Sequence, residues 1–331
     1  MIKITPELSA FKPLKYKKAK DLSEAKTYAQ KVLNIKQFNV EDLELANQVN
    51  YTITKAYNKT EGQINPPDKV VYADITFDDG TKPQSDMFVS LEHKDNAYTC
   101  RTLFLCKNIF DNAGNMISLF LKKYGKNNQI EKDKHGFDKI ILASKYKYEN
   151  TLNRYYRLHQ QGKLTPKSKH DFVGLLYHAQ EAENSVIGAL YNNPETRKTM
   201  ERITHLENYD VADFDKKVRA YLLKIRRRNK IEFNPPLQMQ NAIGVDGSIL
   251  HELGHVWHSM FITPSELPNF RLAYTKIKNF HIAGKISEYA QTCEEETIAE
   301  IIKGLLSNDK YSPDVIALGN EITRGKLNEL L

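Results

Sequence analysis

Little in the 331-residue chain assigns it to a special environment. Its three cysteines, Cys100, Cys106 and Cys293, are an odd number with no CxxC or zinc-finger spacing. That argues against a disulfide framework and for buried or idle thiols. No apolar run approaches the roughly 18 residues of a membrane span, so no transmembrane segment is expected. The first residues likewise hold no apolar stretch of the signal-peptide kind. A cytoplasmic protein is expected, or one delivered or assembled by a non-classical route, for instance in a virion. No repeat period is evident. Hydrophobic residues at 40% and charged residues at 27% are ordinary for a packed globular chain.

The formal charge of +7 is partly concentrated in two runs, Lys15 to Lys20 and Arg226 to Lys230. No stacking pattern or nucleic-acid motif accompanies either run. Both read as solvated faces, the second suiting a helix C-terminus, and nucleic acid is not expected as a partner.

At roughly 150 residues per domain, the length suggests two domains or one elaborated one. Residues 1–67 read as a basic arm with Pro6 and Pro13, followed by a helical stretch from Asp21 to Tyr57. Glu61 to Asp68, with Pro66 and Pro67, makes a boundary. In residues 68–150 the period shortens: Val71, Ala73, Ile75 and Phe77 alternate with polar positions up to the turn signal Asp78-Asp79-Gly80. Met87 to Glu92 and Tyr98 to Leu105 continue as short strands, and a small antiparallel meander is expected. Tyr146 to Gln161, His170 to Tyr191 and Phe214 to Arg228 then read as helices, and Ile231 to Phe233 as one more short strand. The expected class is α+β and mostly helical.

The decisive stretch runs from Ser248 to His258 and contains His251-Glu252-Leu253-Gly254-His255. Residues four apart on a helix share a face, so His251 and His255 can bridge one metal ion. Glu252 stands beside them, placed to take a proton from an activated water and return it to a leaving amine. Ile249, Leu253, Val256, Trp257 and Met260 fall on the other face, Asp246 or Ser248 can cap the start, and Pro264 ends the run.

A zinc peptidase needs a third protein ligand. His258 shares the face of His251, but seven residues rise about 10 Å, too far for one ion. It reads as a cleft or supporting residue. The other candidates are Glu296 and Glu300 on a helix begun by a Thr292–Glu295 capping box, with Ile298, Ile301, Ile302, Leu305 and Leu306 as its apolar stripe. Helix geometry leaves two readings open: ligation, or solvated charges paired with Lys303.

The HELGH run from His251, with Tyr289-Ala290 and then Glu296 and Ala299-Glu300, resembles the catalytic domain of the anthrax lethal-factor family of gluzincins. The resemblance covers roughly residues 240–331. It implies a zincin-like peptidase domain, placed at 151–331 with its motif core at 240–331, holding one Zn2+. It also implies Glu296 as the third ligand, Tyr289 as oxyanion helper and Glu300 as a supporting group. The expected activity is zinc-dependent hydrolysis of peptide bonds in a peptide or protein substrate. The alternative is an assembly component, as in a phage particle or secretion device, that meets protein partners and whose proteolysis is accessory or lost.

Overall fold

The computed structural model describes residues 11–83, 85–128, 149–176, 244–287 and 289–330. They belong to two compact units, and the division is not linear along the chain. The first unit joins Met1–Ile109 to Val245–Leu331, and the second is Phe110–Gly244. The class is α+β, with one small sheet among many helices in the described residues.

In the first unit, residues 11–20 lie extended along the helix Leu43–Lys59. Asn58 both donates to the Leu14 carbonyl and accepts from its amide, and Asn47 accepts from the Ala19 amide at 2.7 Å. Helix α1 (Leu22–Lys31) starts on Asp21, whose carboxylate accepts from the Glu24 amide at 2.8 Å. The helical stretch expected from Asp21 to Tyr57 is broken. Asn34 takes a left-handed φ of 56°, strand β1 (Gln37–Asn39) follows, and Asp42 caps a new helix, α2 (Leu43–Lys59).

Strands β2 (Lys69–Ala73), β3 (Met87–Lys94) and β4 (Ala97–Cys106) complete a sheet of order β1-β2-β4-β3. The antiparallel meander expected from the sequence is corrected to a mixed sheet, in which β1 pairs parallel to β2 and β2 parallel to β4. Only the β3–β4 hairpin is antiparallel. The Asp78-Asp79-Gly80 turn does form, with Gly80 at φ 81°, but it connects strands that are not neighbours. A turn signal fixes a local reversal, whereas strand order is decided by packing.

Helix α3 (Lys107–Asn128) leads into the second unit, which includes α4 (Glu149–Gln160) and a helix α5 over 166–176. There Tyr155 stacks on Phe172, ring centroids 5.9 Å apart, and donates its hydroxyl to Asp171. The sequence-predicted elements at 177–233 and the Arg226–Lys230 run lie outside the described residues.

The chain returns to the first unit with α6 (Gly244–His258), then the short α7 (Leu267–Phe270) and α8 (Ile277–Ala283). A 3-10 turn (Tyr289–Gln291) precedes α9 (Glu294–Leu306), and α10 (Pro313–Ile322) and α11 (Lys326–Leu330) close the chain described. Ile249, Val256, Ile298, Ile301 and Ile302 are fully buried, so these helices share a core in which truncating one isoleucine to alanine costs about 2–5 kcal/mol. Among the described residues, no helix is long and apolar enough to cross a membrane.

Candidate metal centre

Helix α6 is buried on almost every side, unlike the two-faced helix that its pattern suggests. Met260, expected on the apolar face, lies past the helix and is exposed. Asp246 and Ser248 do not cap the helix, which begins before both of them. Instead they tie it to its surroundings. Asp246 accepts from Gln48 and Thr52 of α2, and Ser248 donates to Asp86 at 2.6 Å. Past the helix end, Ser259 accepts from the Arg101 guanidinium on β4 at 2.7 Å. The sheet and α2 thus hold both ends of α6.

Helix α9 crosses α6 closely because Gly254 has no side chain. A Cβ there would lie 2.7 Å from the Ala299 Cα and 3.0 Å from its carbonyl oxygen. The expected capping box is absent: Cys293 is the N-cap residue, without a side-chain cap bond. The start of α9 is fixed by Thr297, whose hydroxyl donates to the Ala290 carbonyl at 2.6 Å, and by Ser287, which accepts from the Ala290 amide. These bonds fold the 3-10 turn against the helix and bring the Tyr289 ring within 5.5 Å of His251.

The result is a triangle of donor atoms. The Nε2 atoms of His251 and His255 are 3.1 Å apart, and Glu296 Oε2 lies 3.1 Å from the first and 3.4 Å from the second. Donors bound at 2.0–2.2 Å to one tetrahedral ion stand roughly 3.3 Å from one another. Glu296 Oε2 is buried and accepts no aligned hydrogen bond, although both nitrogens are close. Glu252 belongs to the same cluster: the ligand atoms of His251, Glu252 and His255 all lie within 4.8 Å of one another.

The second nitrogen of each imidazole faces another carboxylate. Glu300 Oε1 lies 2.8 Å from His251 Nδ1, and Lys303 donates to the same carboxylate at 3.1 Å. Glu295 Oε1 lies 3.6 Å from His255 Nδ1, beyond hydrogen-bond length, while its Oε2 accepts from Arg271 Nε at 2.8 Å. Carboxylates at both Nδ1 positions favour the tautomers with protons there, which turns both Nε2 lone pairs into the triangle. Three converging lone pairs repel unless a cation or a proton sits among them.

Charge follows the same logic. Burial opposes charge on His251, but Glu296 and Glu300 outweigh it and raise its pKa to about 10. Burial alone would raise Glu296 and Glu300. The imidazoles hold Glu296 well below the usual carboxylate range, and Lys303 with His251 brings Glu300 to about 2. Glu252 moves the other way, raised chiefly by burial. Tyr289 is 54% exposed as a residue, yet desolvation of its phenol and the nearby Glu296 and Glu252 carboxylates push its hydroxyl up, so it stays a donor.

His258 lies apart from the triangle. It is buried beside Phe261 and Phe270, ring centroids 5.7 and 4.9 Å away, and its ring nitrogens have no hydrogen-bond partner among the described residues. Burial, with His255 nearby, lowers its pKa to about 3, so it is a neutral core histidine. Sequence reasoning missed Glu295 and Arg271. Nothing local marks them, since Arg271 lies 24 residues from its partner.

The chain matches no protein-family model, no curated protein and no solved structure. The reading of the site therefore rests on its own geometry.

Proposed function

We propose that this protein is a zinc-dependent peptidase that hydrolyses peptide bonds. The observation that carries the reading is the triangle of His251 Nε2, His255 Nε2 and Glu296 Oε2, with edges of 3.1, 3.1 and 3.4 Å. Two neutral imidazoles and one carboxylate suit zinc and leave a fourth position for water or substrate. When bound, zinc supplies Lewis acidity, which makes water a better acid and polarises a carbonyl.

The chain's own residues supply the rest. Glu300 and Glu295 orient the imidazoles through their Nδ1 atoms. Glu252, with its proton affinity raised by burial, is suited to accept a proton from the attacking water and to pass it to the departing amine. Tyr289, protonated and half exposed beside His251, is suited to donate to the oxyanion that forms on the scissile carbonyl.

Metal analysis and peptide-library cleavage test this together. About one zinc per chain is expected in wild type and in Glu252→Gln, and far less after purification in His251→Ala or Glu296→Ala. All three variants should lose cleavage. Cleavage by Glu252→Gln at the wild-type rate overturns the mechanism. A zinc-loaded wild type that cleaves nothing favours the assembly role instead.

A further inference from the structure

A cleft of about 410 Å³ opens beside β3 in the unit that carries the triangle. Phe88, Val89, Ser90 and Leu91 all line it. Successive side chains of a strand point to opposite faces, so a cleft touched by four in a row follows the strand's edge. That edge is the outer one, because β3 ends the sheet order. Apolar side chains, Leu267 among them, share the lining with Tyr98 and Arg271.

Among the described residues, Arg271 spends only one of its five N–H groups. Nε donates to Glu295, and the two Nη groups have no hydrogen bond among the described residues, on a side chain that is 60% exposed. The Tyr98 hydroxyl is buried and also without a partner there. Burial, then the nearby Glu295 carboxylate, raise its pKa, so it remains a donor. The Tyr98 hydroxyl is closed off from the cleft, so the accessible unused donors are the Nη groups of Arg271, and between apolar walls they suit an acceptor group on an apolar stem. The guanidinium fork matches a carboxylate in two-point geometry.

We propose that this cleft takes an acidic side chain of an extended peptide, held by the Nη edge of Arg271, and so selects glutamate or aspartate near the bond to be cut. The consequence for cleavage rests on the peptidase reading above, whereas the binding does not. Glu295 offsets part of the arginine charge, which makes the attraction short-range and directional. Through Glu295 the same arginine is linked to His255, itself a corner of the triangle. The excess positive charge of the chain adds a weaker pull on acidic substrates.

The probes are fluorescein-labelled Ala-Leu-Glu-Leu-Ala and its glutamine counterpart, Ala-Leu-Gln-Leu-Ala. Their binding is read by anisotropy on the full zinc-loaded chain carrying Glu252→Gln, so that neither peptide is consumed. The glutamate peptide should bind about tenfold more tightly, and the margin should shrink with added salt. Adding Arg271→Gln should reduce the margin to less than about twofold, and Arg271→Lys, which keeps charge without the fork, should leave it intermediate. Ser90→Trp, which fills the cleft and leaves both residues of the Arg271–Glu295 pair in the chain, should weaken both peptides. Equal binding of the two peptides, or a margin that survives Arg271→Gln, overturns the proposal. If Arg271→Gln fails to fold, Ser90→Trp decides: undiminished binding of the glutamate peptide then overturns the proposal. Cleavage by wild type with no glutamate preference sinks the cleft alone, and a glutamate preference without any cleavage sinks the peptidase reading alone.

Discussion

Helices α6 and α9 furnish the two halves of the triangle in opposite ways. Helix α6 contributes imidazoles from a segment buried on nearly all sides and tied at both ends by part-buried polar bonds. Helix α9 contributes carboxylates from its first two turns, where the helix dipole favours negative charge. Its three consecutive glutamates part company. Glu294 sits with its pKa raised by burial and by Glu321, Glu295 turns to Arg271, and Glu296 enters the triangle. The histidine pair is thus a local property of one helix, while the third donor depends on how two helices cross.

The sharpest way to break the comparison is to remove one donor from each helix. His255→Ala and Glu296→Ala should each weaken zinc binding by about three orders of magnitude. Structural zinc is worth roughly 10–16 kcal/mol, shared here among three side chains and water. Competition with a chromogenic chelator measures this. Retention of full affinity by Glu296→Ala would mean that α9 contributes no ligand.

The crossing itself is tested at Gly254. Gly254→Ala forces a methyl against the Ala299 backbone and should cost about 1–3 kcal/mol, lowering Tm by several degrees in differential scanning calorimetry. Because the obstacle is backbone, adding Ala299→Gly should not restore stability. Recovery in the double variant would show that a side chain, and not the helix spacing, sets the approach.

The two outer carboxylates give a smaller contrast. Glu300→Gln should lower zinc affinity about 10–100-fold, because it removes charge from a 2.8 Å contact with His251. Glu295→Gln should cost less, since its oxygen lies 3.6 Å from His255. The reverse order would place the principal orienting group at Arg271–Glu295.

What was legible in the sequence divides along the same line. The spacing of His251, Glu252 and His255 needs only helix periodicity, and the helix start at Asp21 rests on a bond spanning three residues, whereas the second start at Asp42 lies inside a stretch that the pattern reads as continuous helix. Glu296 and Glu300 could be placed on one helix face, but only the approach at Gly254 decides what that face meets. The sheet was legible in existence and not in order: Gln37–Asn39 is too short to leave a period, and its parallel pairing with Lys69–Val71 leaves no local trace. Thr292 and Glu295 satisfy a capping-box pattern, yet Cys293 takes the N-cap position and Glu295 turns to Arg271, a partner 24 residues away that no local pattern marks.

The last contrast concerns the proton that stands in for the metal. Burial acts against charge on His251, but Glu296 and Glu300 prevail and raise its pKa from 6.5 to about 10. A group raised on folding stabilises the folded state fully below its unfolded pKa and loses that contribution as pH climbs through the folded one. Metal-free protein should therefore lose stability between about pH 7 and pH 10, and His251→Gln should lack that part of the slope. Zinc requires the unprotonated imidazole, so loading near pH 8 should release about one proton per ion. Calorimetry in buffers of different ionisation heat reads that number together with any proton lost by water on the ion, and the His251 share should vanish at pH values above 10. Zinc loading without proton release at pH 8 would mean that the imidazole is already neutral, and that Glu296 and Glu300 of α9 hold no proton on α6.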